Sequence, residues 1–107
     1  MTYSLIYITA SDIKEARFIA RDLLEKRLVA CVNIVPGVES HYWWGGKICE
    51  GTEALIFAKT TESKARDVIL EVKEIHSYKI PAISVFNISG GNMEFMDWIE
   101  KETGDLG

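Results

Sequence analysis

The sequence predicts a single α+β domain of four strands and two long helices in the order βαββαβ, followed by a short last helix. Three observations carry that expectation. Apolar, β-branched runs alternate with segments whose apolar residues recur at helical spacing. A Gly45-Gly46 pair divides two long strand-like runs. Finally, 107 residues with 48% hydrophobic and 26% charged side chains make one ordered globular unit, residues 1–107.

Residues 3–9 form the first strand, which stops at Thr9-Ala10-Ser11-Asp12. Asp12 and Glu15 have the spacing of a helix N-cap and its capping-box partner. Ala16, Ala20, Leu23 and Leu24 then repeat at helical spacing, with Arg17, Arg21, Glu25 and Lys26 turned outward, so the first helix runs to about residue 27. The second strand runs from Leu28 to Val35, is interrupted at Pro36-Gly37 by a bulge or bend, and resumes from Val38 to Trp44. Gly45-Gly46 suits a two-residue hairpin turn, in which both positions take positive φ. The third strand covers Lys47 to about Thr60. Thr61-Glu62 opens a second helix marked by Ala65, Val68, Ile69, Val72 and Ile75, and Pro81 ends the connection behind it. Ala82 to Ile88 is the fourth strand. After Gly90-Gly91, Asn92 caps a last helix carrying Phe95, Met96 and Ile99. This order is the ferredoxin-like pattern.

Composition excludes several function classes. Twelve Lys and Arg are scattered among sixteen Asp and Glu, a net charge of −4. Phosphate neutralisation needs clustered basic residues, so nucleic acid and anionic membrane are not expected partners. Cys31 and Cys49 lie 18 residues apart with no CxxC, which signals neither a disulfide framework nor a zinc knuckle. The first strand lacks a basic start and is too short to span a bilayer, so the expected address is the cytoplasm and no membrane insertion is expected. No Ser/His/Asp arrangement or activated carboxylate pair can be assembled, and the expectation is a protein that is not an enzyme.

The hairpin argues for self-association. Each arm has about 14 residues, or about 45 Å, whereas a compact domain of this size is about 35 Å across. Its tip must overhang the body, and it carries Tyr42, Trp43, Trp44 and Ile48. Leaving that apolar surface wet costs about 25 cal/mol per Å². Packing on a second subunit removes the cost; so does curling back over the chain's own sheet. Counting from the turn sets Tyr42 opposite Cys49 and His41 opposite Glu50. His41, Trp43, Ile48 and Glu50 then share one face, and Tyr42, Trp44 and Cys49 the other. His41 and Glu50 are either the start of a metal site or a cross-strand polar pair.

Read in order, Leu28-Val29-Ala30-Cys31-Val32-Asn33-Ile34-Val35-Pro36-Gly37, Ser40-His41-Tyr42-Trp43-Trp44-Gly45-Gly46-Lys47-Ile48, Lys59-Thr60, His76-Ser77-Tyr78, Ile80-Pro81, Gly91-Asn92 and Trp98-Ile99 resemble the CutA divalent-cation tolerance proteins over essentially the whole chain. The resemblance implies a ferredoxin-like homotrimer, similar in shape to the P-II signalling proteins and associated with copper or another divalent cation. In many relatives the turn behind the second helix reads His-Pro-Tyr-Glu-x-Pro-Glu. Here Ser77 stands for the proline, and Lys79 and Ala82 stand for the two acids, so carboxylates that could hold a cation there are missing.

With that resemblance, Cys31 becomes a candidate ligand for soft Cu(I), against its plain reading as a small buried hydrophobe in mid-strand. His76 is either a helix-terminal residue placed by the dipole or a ligand at a subunit cleft near Tyr78 and Lys59. Tyr42, Trp43, Trp44 and Ile48 are the expected interface. The alternative function is a P-II-like regulatory or scaffold trimer, binding a small anion or a partner protein at intersubunit clefts, with Lys59 as the anion contact.

Overall fold

The protein is described by a computed structural model covering residues 2–104. Its elements are β1 (Tyr3–Ala10), α1 (Ile13–Glu25), β2 (Cys31–Trp44), β3 (Lys47–Thr61), α2 (Glu62–Ile75), β4 (Ile83–Ile88) and α3 (Met93–Thr103), the expected order. The strands form one antiparallel sheet in the order β2-β3-β1-β4.

Alternation along β1 sorts the two faces of the sheet. Ile6, Ile8 and Ala10 point toward α1 and α2, where they meet Ile56, Ala58, Ile19, Leu23, Val68 and Val72 in the main core. Tyr3 points the other way and packs with Met96 and Ile99 of α3 in a second, smaller cluster. Its phenol donates to Glu100 Oε1 at 3.1 Å. Between α3 and the ribbon described below, the second face is open. No helix among the described residues is long and apolar enough to cross a membrane.

Two boundaries differ from the sequence expectation for one local reason. Helix α1 closes in a left-handed turn, with Arg27 at φ 58°. The Leu28 amide bonds the Leu23 carbonyl and the Arg27 amide bonds the Leu24 carbonyl, each at 3.0 Å, which is a Schellman ending built without glycine. Residues 26–28 are thereby spent on the helix terminus, and β2 starts at Cys31 rather than Leu28. Cys31 therefore sits at the head of the strand, half-buried, rather than sealed in its middle. At the other end of α1, Asp12 caps as expected, accepting from the Glu15 amide at 2.8 Å.

Pro36-Gly37 is a bulge. Val35 pairs with Leu55 but Val38 pairs with Glu53, so β2 carries one residue more than its partner, and Gly37 takes the left-handed backbone at φ 66°. The extra residue reverses the parity of β2. Odd-numbered residues share the open face before it, and even-numbered ones after it. Beyond Ala54, which faces Ala10, the β2-β3 ribbon has no third strand beside it among the described residues. Its seven pairs extend about 23 Å past the sheet, which fits a molecule measuring 48 × 25 × 21 Å. The ribbon projects. Gly45 (φ 61°) and Gly46 (φ 78°) make its turn, and the register places His41 opposite Glu50 and Tyr42 opposite Cys49.

Candidate functional site

Where the ribbon leaves the sheet, it faces the turn between α2 and β4 across a cavity of about 650 Å³. Glu39, His41, Tyr42 and Trp44 of β2 and Glu53 of β3 line one side, and Tyr78 and Lys79 of the turn line the other. The bulge sets which β2 side chains reach the cavity, and the end of α2 sets the turn.

Two side chains hold that turn. His76, the C-cap of α2, has a fully buried side chain. Its Nδ1 accepts the Tyr78 amide at 3.0 Å, so the ring hydrogen lies on Nε2, which donates to the Thr9 carbonyl at 2.7 Å. The His76 and Tyr78 rings lie 4.8 Å apart. Glu15, from the first turn of α1, accepts the amide and hydroxyl of Ser11 at 2.9 and 2.8 Å, and those of Ser77 at 2.7 and 2.9 Å. Desolvation pushes the Glu15 pKa up, but the four hydrogen bonds together outweigh it and hold the carboxyl at about 2. Tyr78 then crosses the cavity wall to donate its phenol to Glu53 Oε2 at 2.6 Å. Burial first, and then the bond to Glu53, push that phenol well above its ordinary value.

Of the four metal-ligand candidates, only His41 and Glu50 are brought together. Cys31 pairs with Lys59 in the ladder, level with Leu5 of β1, whereas His76 binds Thr9, four residues or about 13 Å further along. His41 lies ten positions from Cys31 on β2. It sits between two carboxylates, with Nε2 2.6 Å from Glu39 and Nδ1 3.5 Å from Glu50. These acids meet opposite edges of the ring and cannot converge with it on one ion. Among the described residues, no group of three or more His, Cys, Asp or Glu could hold a metal. Both His76 nitrogens are committed to the backbone, so that ring offers no lone pair without giving up a bond.

Lys59 and Tyr78, expected near each other, are separated as well. The Lys59 ammonium donates to Asn33 Oδ1 on the open sheet face, away from the cavity. Burial raises the Cys31 thiol pKa, opposed by the neighbouring Lys59 charge. The four aromatic and aliphatic residues of the ribbon tip are exposed, at 72% for Trp43, 63% for Ile48, 57% for Trp44 and 47% for Tyr42. Glu39, Glu53 and Lys79 were not singled out as site residues by the sequence. Glu53 and Tyr78 stand 25 positions apart, and no motif signals that the bulge and the α2 terminus will face each other.

Residues 4–102 match the family described as CutA1 divalent ion tolerance protein. A divalent-cation tolerance protein CutA of Archaeoglobus fulgidus is 48% identical over 99 residues, covering 92% of this chain and 96% of that protein. One of Thermus thermophilus is 42% identical, covering 94% and 97%. Among solved structures, CutA1 from Oryza sativa superposes with a TM-score of 0.95 at 34% identity, over 98% of this chain and 96% of that one. A CutA of Archaeoglobus fulgidus described as periplasmic superposes with a TM-score of 0.93 at 45% identity, over 95% and 99%.

Proposed function

Because this chain belongs to the CutA1 family of divalent ion tolerance proteins, we propose that it acts in divalent-cation tolerance as a cytoplasmic homotrimer of ferredoxin-like subunits, binding copper or another divalent cation weakly and catalysing no reaction. The observation that carries the assembly is the unaccompanied ribbon, whose exposed Trp43 and Ile48 on one face and Tyr42 and Trp44 on the other need a covering surface. For the metal, one chain offers a half-buried Cys31 thiol and, separately, His41 between Glu39 and Glu50. The ion therefore requires donors from more than one subunit, or the two-coordinate geometry that Cu(I) accepts. His76 would join only by releasing Thr9 and Tyr78.

Light scattering tests the assembly and should return about 36 kDa, three times the 12.1 kDa chain. Copper titration of the assembled protein under reducing conditions tests the cation. Cys31→Ser or His41→Ala should weaken binding, and two variants binding as well as the parent would remove the metal reading. The anion-binding alternative loses its expected contact, because Lys59 already serves Asn33 and does not line the cavity.

A further inference from the structure

We propose that Asp22 of α1 and Glu71 of α2 share a single proton, forming a clasp that ties the two helices more firmly as the surroundings turn mildly acidic. This goes beyond cation tolerance and does not depend on it. The geometry is a pair of acids with too few donors. The Lys26 ammonium lies 2.6 Å from Glu71 Oε2 and 3.4 Å from Asp22 Oδ1, so one cation serves two carboxyl groups. The two acidic side chains are largely buried, at 20% and 18% exposure. The other Asp22 oxygen, Oδ2, is buried and has no hydrogen-bond partner among the described residues. A buried acceptor left without a donor is costly. Two ionised carboxylates can only accept, whereas a proton on Asp22 makes it a donor, and Glu71 stands within hydrogen-bonding reach.

The surroundings fix the sign. Glu71 from α2 and Lys26 from its own helix are the charged groups facing Asp22, and Glu71 faces Asp22 and Lys26 in turn. Arg21 and Glu25 pair with each other on the outward side of α1. Burial first, and then Glu71, raise the Asp22 pKa, with Lys26 opposing them. Glu71 is lowered by its bonds to Asp22 and Lys26. A raised folded value makes the Asp22 contribution complete below its ordinary 3.8 and lost as pH rises through the folded value. A lowered one makes the Glu71 contribution complete above 4.5 and lost as pH falls through the folded value. The clasp is therefore firmest with one proton bound. It sits on the helix face of the sheet, at the end away from the ribbon. Leu28, two residues past Lys26, accepts from Thr60, which pairs with Ser4 near the start of β1. It thus lies apart from the ribbon tip through which the subunits are proposed to assemble.

The test is a carbon-13 NMR titration of the side-chain carboxyls in the assembled protein, from pH 7 to 3. Asp22 should titrate above 3.8 and Glu71 below 4.5. Glu71→Gln, which removes the charged acceptor, should move the Asp22 midpoint down. Lys26→Met should move it further up, whereas loss of the fold would return it to the ordinary value. Asp22→Asn supplies a permanent donor to Glu71. It should raise the urea midpoint at pH 7, and the gain should shrink as pH falls to 4. Asp22 titrating at or below 3.8, a midpoint unmoved by Glu71→Gln, a downward move in Lys26→Met, or an Asp22→Asn protein no more stable than the parent at pH 7 would each overturn the proposal.

Discussion

Ser77 gives Glu15 two hydrogen bonds, from its amide at 2.7 Å and its hydroxyl at 2.9 Å, across 62 positions of sequence. A proline at that position, as in the turn the family often carries, has no amide hydrogen and no hydroxyl. Helix α1 thus supplies an acceptor that serine at this position can use and proline could not. Ser77→Ala should cost about 1 kcal/mol and Ser77→Pro about 2 kcal/mol in urea unfolding, the latter removing both bonds to a charged group.

The same carboxylate predicts an acid transition. Its folded pKa of about 2 lies below the ordinary carboxyl value of 4.5. A depressed folded value means the contribution is complete above about pH 4.5 and is lost as pH falls toward 2. Glu15→Gln should lower stability by about 2 kcal/mol at pH 7, a figure that allows for partial solvent screening. It should also flatten the pH dependence of the midpoint between pH 4.5 and 2. A variant with the parent's slope in that window would assign the transition to other groups.

The ribbon tip should govern assembly without governing the fold. Trp43 is 72% exposed and lies far from the core, so Trp43→Asp should leave helical circular dichroism intact while lowering the mass seen by light scattering. Gly45→Val with Gly46→Val should do more. Each forces a β-branched residue into left-handed backbone at φ 61° and 78°, costing about 1–2 kcal/mol apiece, and lowering stability and assembly together.

Both cysteines should count as free thiols in the native protein. Cys31 pairs with Lys59 and Cys49 with Tyr42, ten ladder positions apart, which no disulfide can span. Since the Lys59 charge lowers a thiol pKa that burial raises, Lys59→Met should slow alkylation of Cys31 severalfold at pH 8 and leave Cys49 unchanged. Mass spectrometry of partially alkylated protein reads the two sites separately.

Periodicity and turn chemistry made most of the fold legible. Gly45-Gly46 fixed the register of the ribbon, so the pairing of His41 with Glu50 followed by counting, and Pro36-Gly37 was readable as a bulge. The start of β2 was not legible, because Arg27 occupies a left-handed position that glycine ordinarily marks, and no residue type announced the end of α1. The site was harder. Cys31, His41 and His76 were visible as ligand types, but their separation depends on which strand and which face each one occupies. The cavity joins residues from β2, β3 and the turn after α2, and no local pattern links Glu53 to Tyr78. His76 was read as a choice between helix-end electrostatics and metal binding, whereas its contacts show a third job, pinning two backbone segments.

One extra residue at Pro36-Gly37 has a consequence for how this ribbon can vary. Strand β3 is continuous, so it fixes which side each ribbon pair faces, and the Gly45-Gly46 turn holds Val38 to Trp44 in register with it. Deleting one residue at Pro36-Gly37 would leave a single residue opposite Ala54 and let the two arms pair regularly, with Tyr42 and Trp44 on the side they hold now. What it would remove is the local bend and added twist that a bulge gives its strand. This position therefore aims the ribbon: it controls the angle at which the arm leaves the sheet, while the identity of its two faces is written in β3.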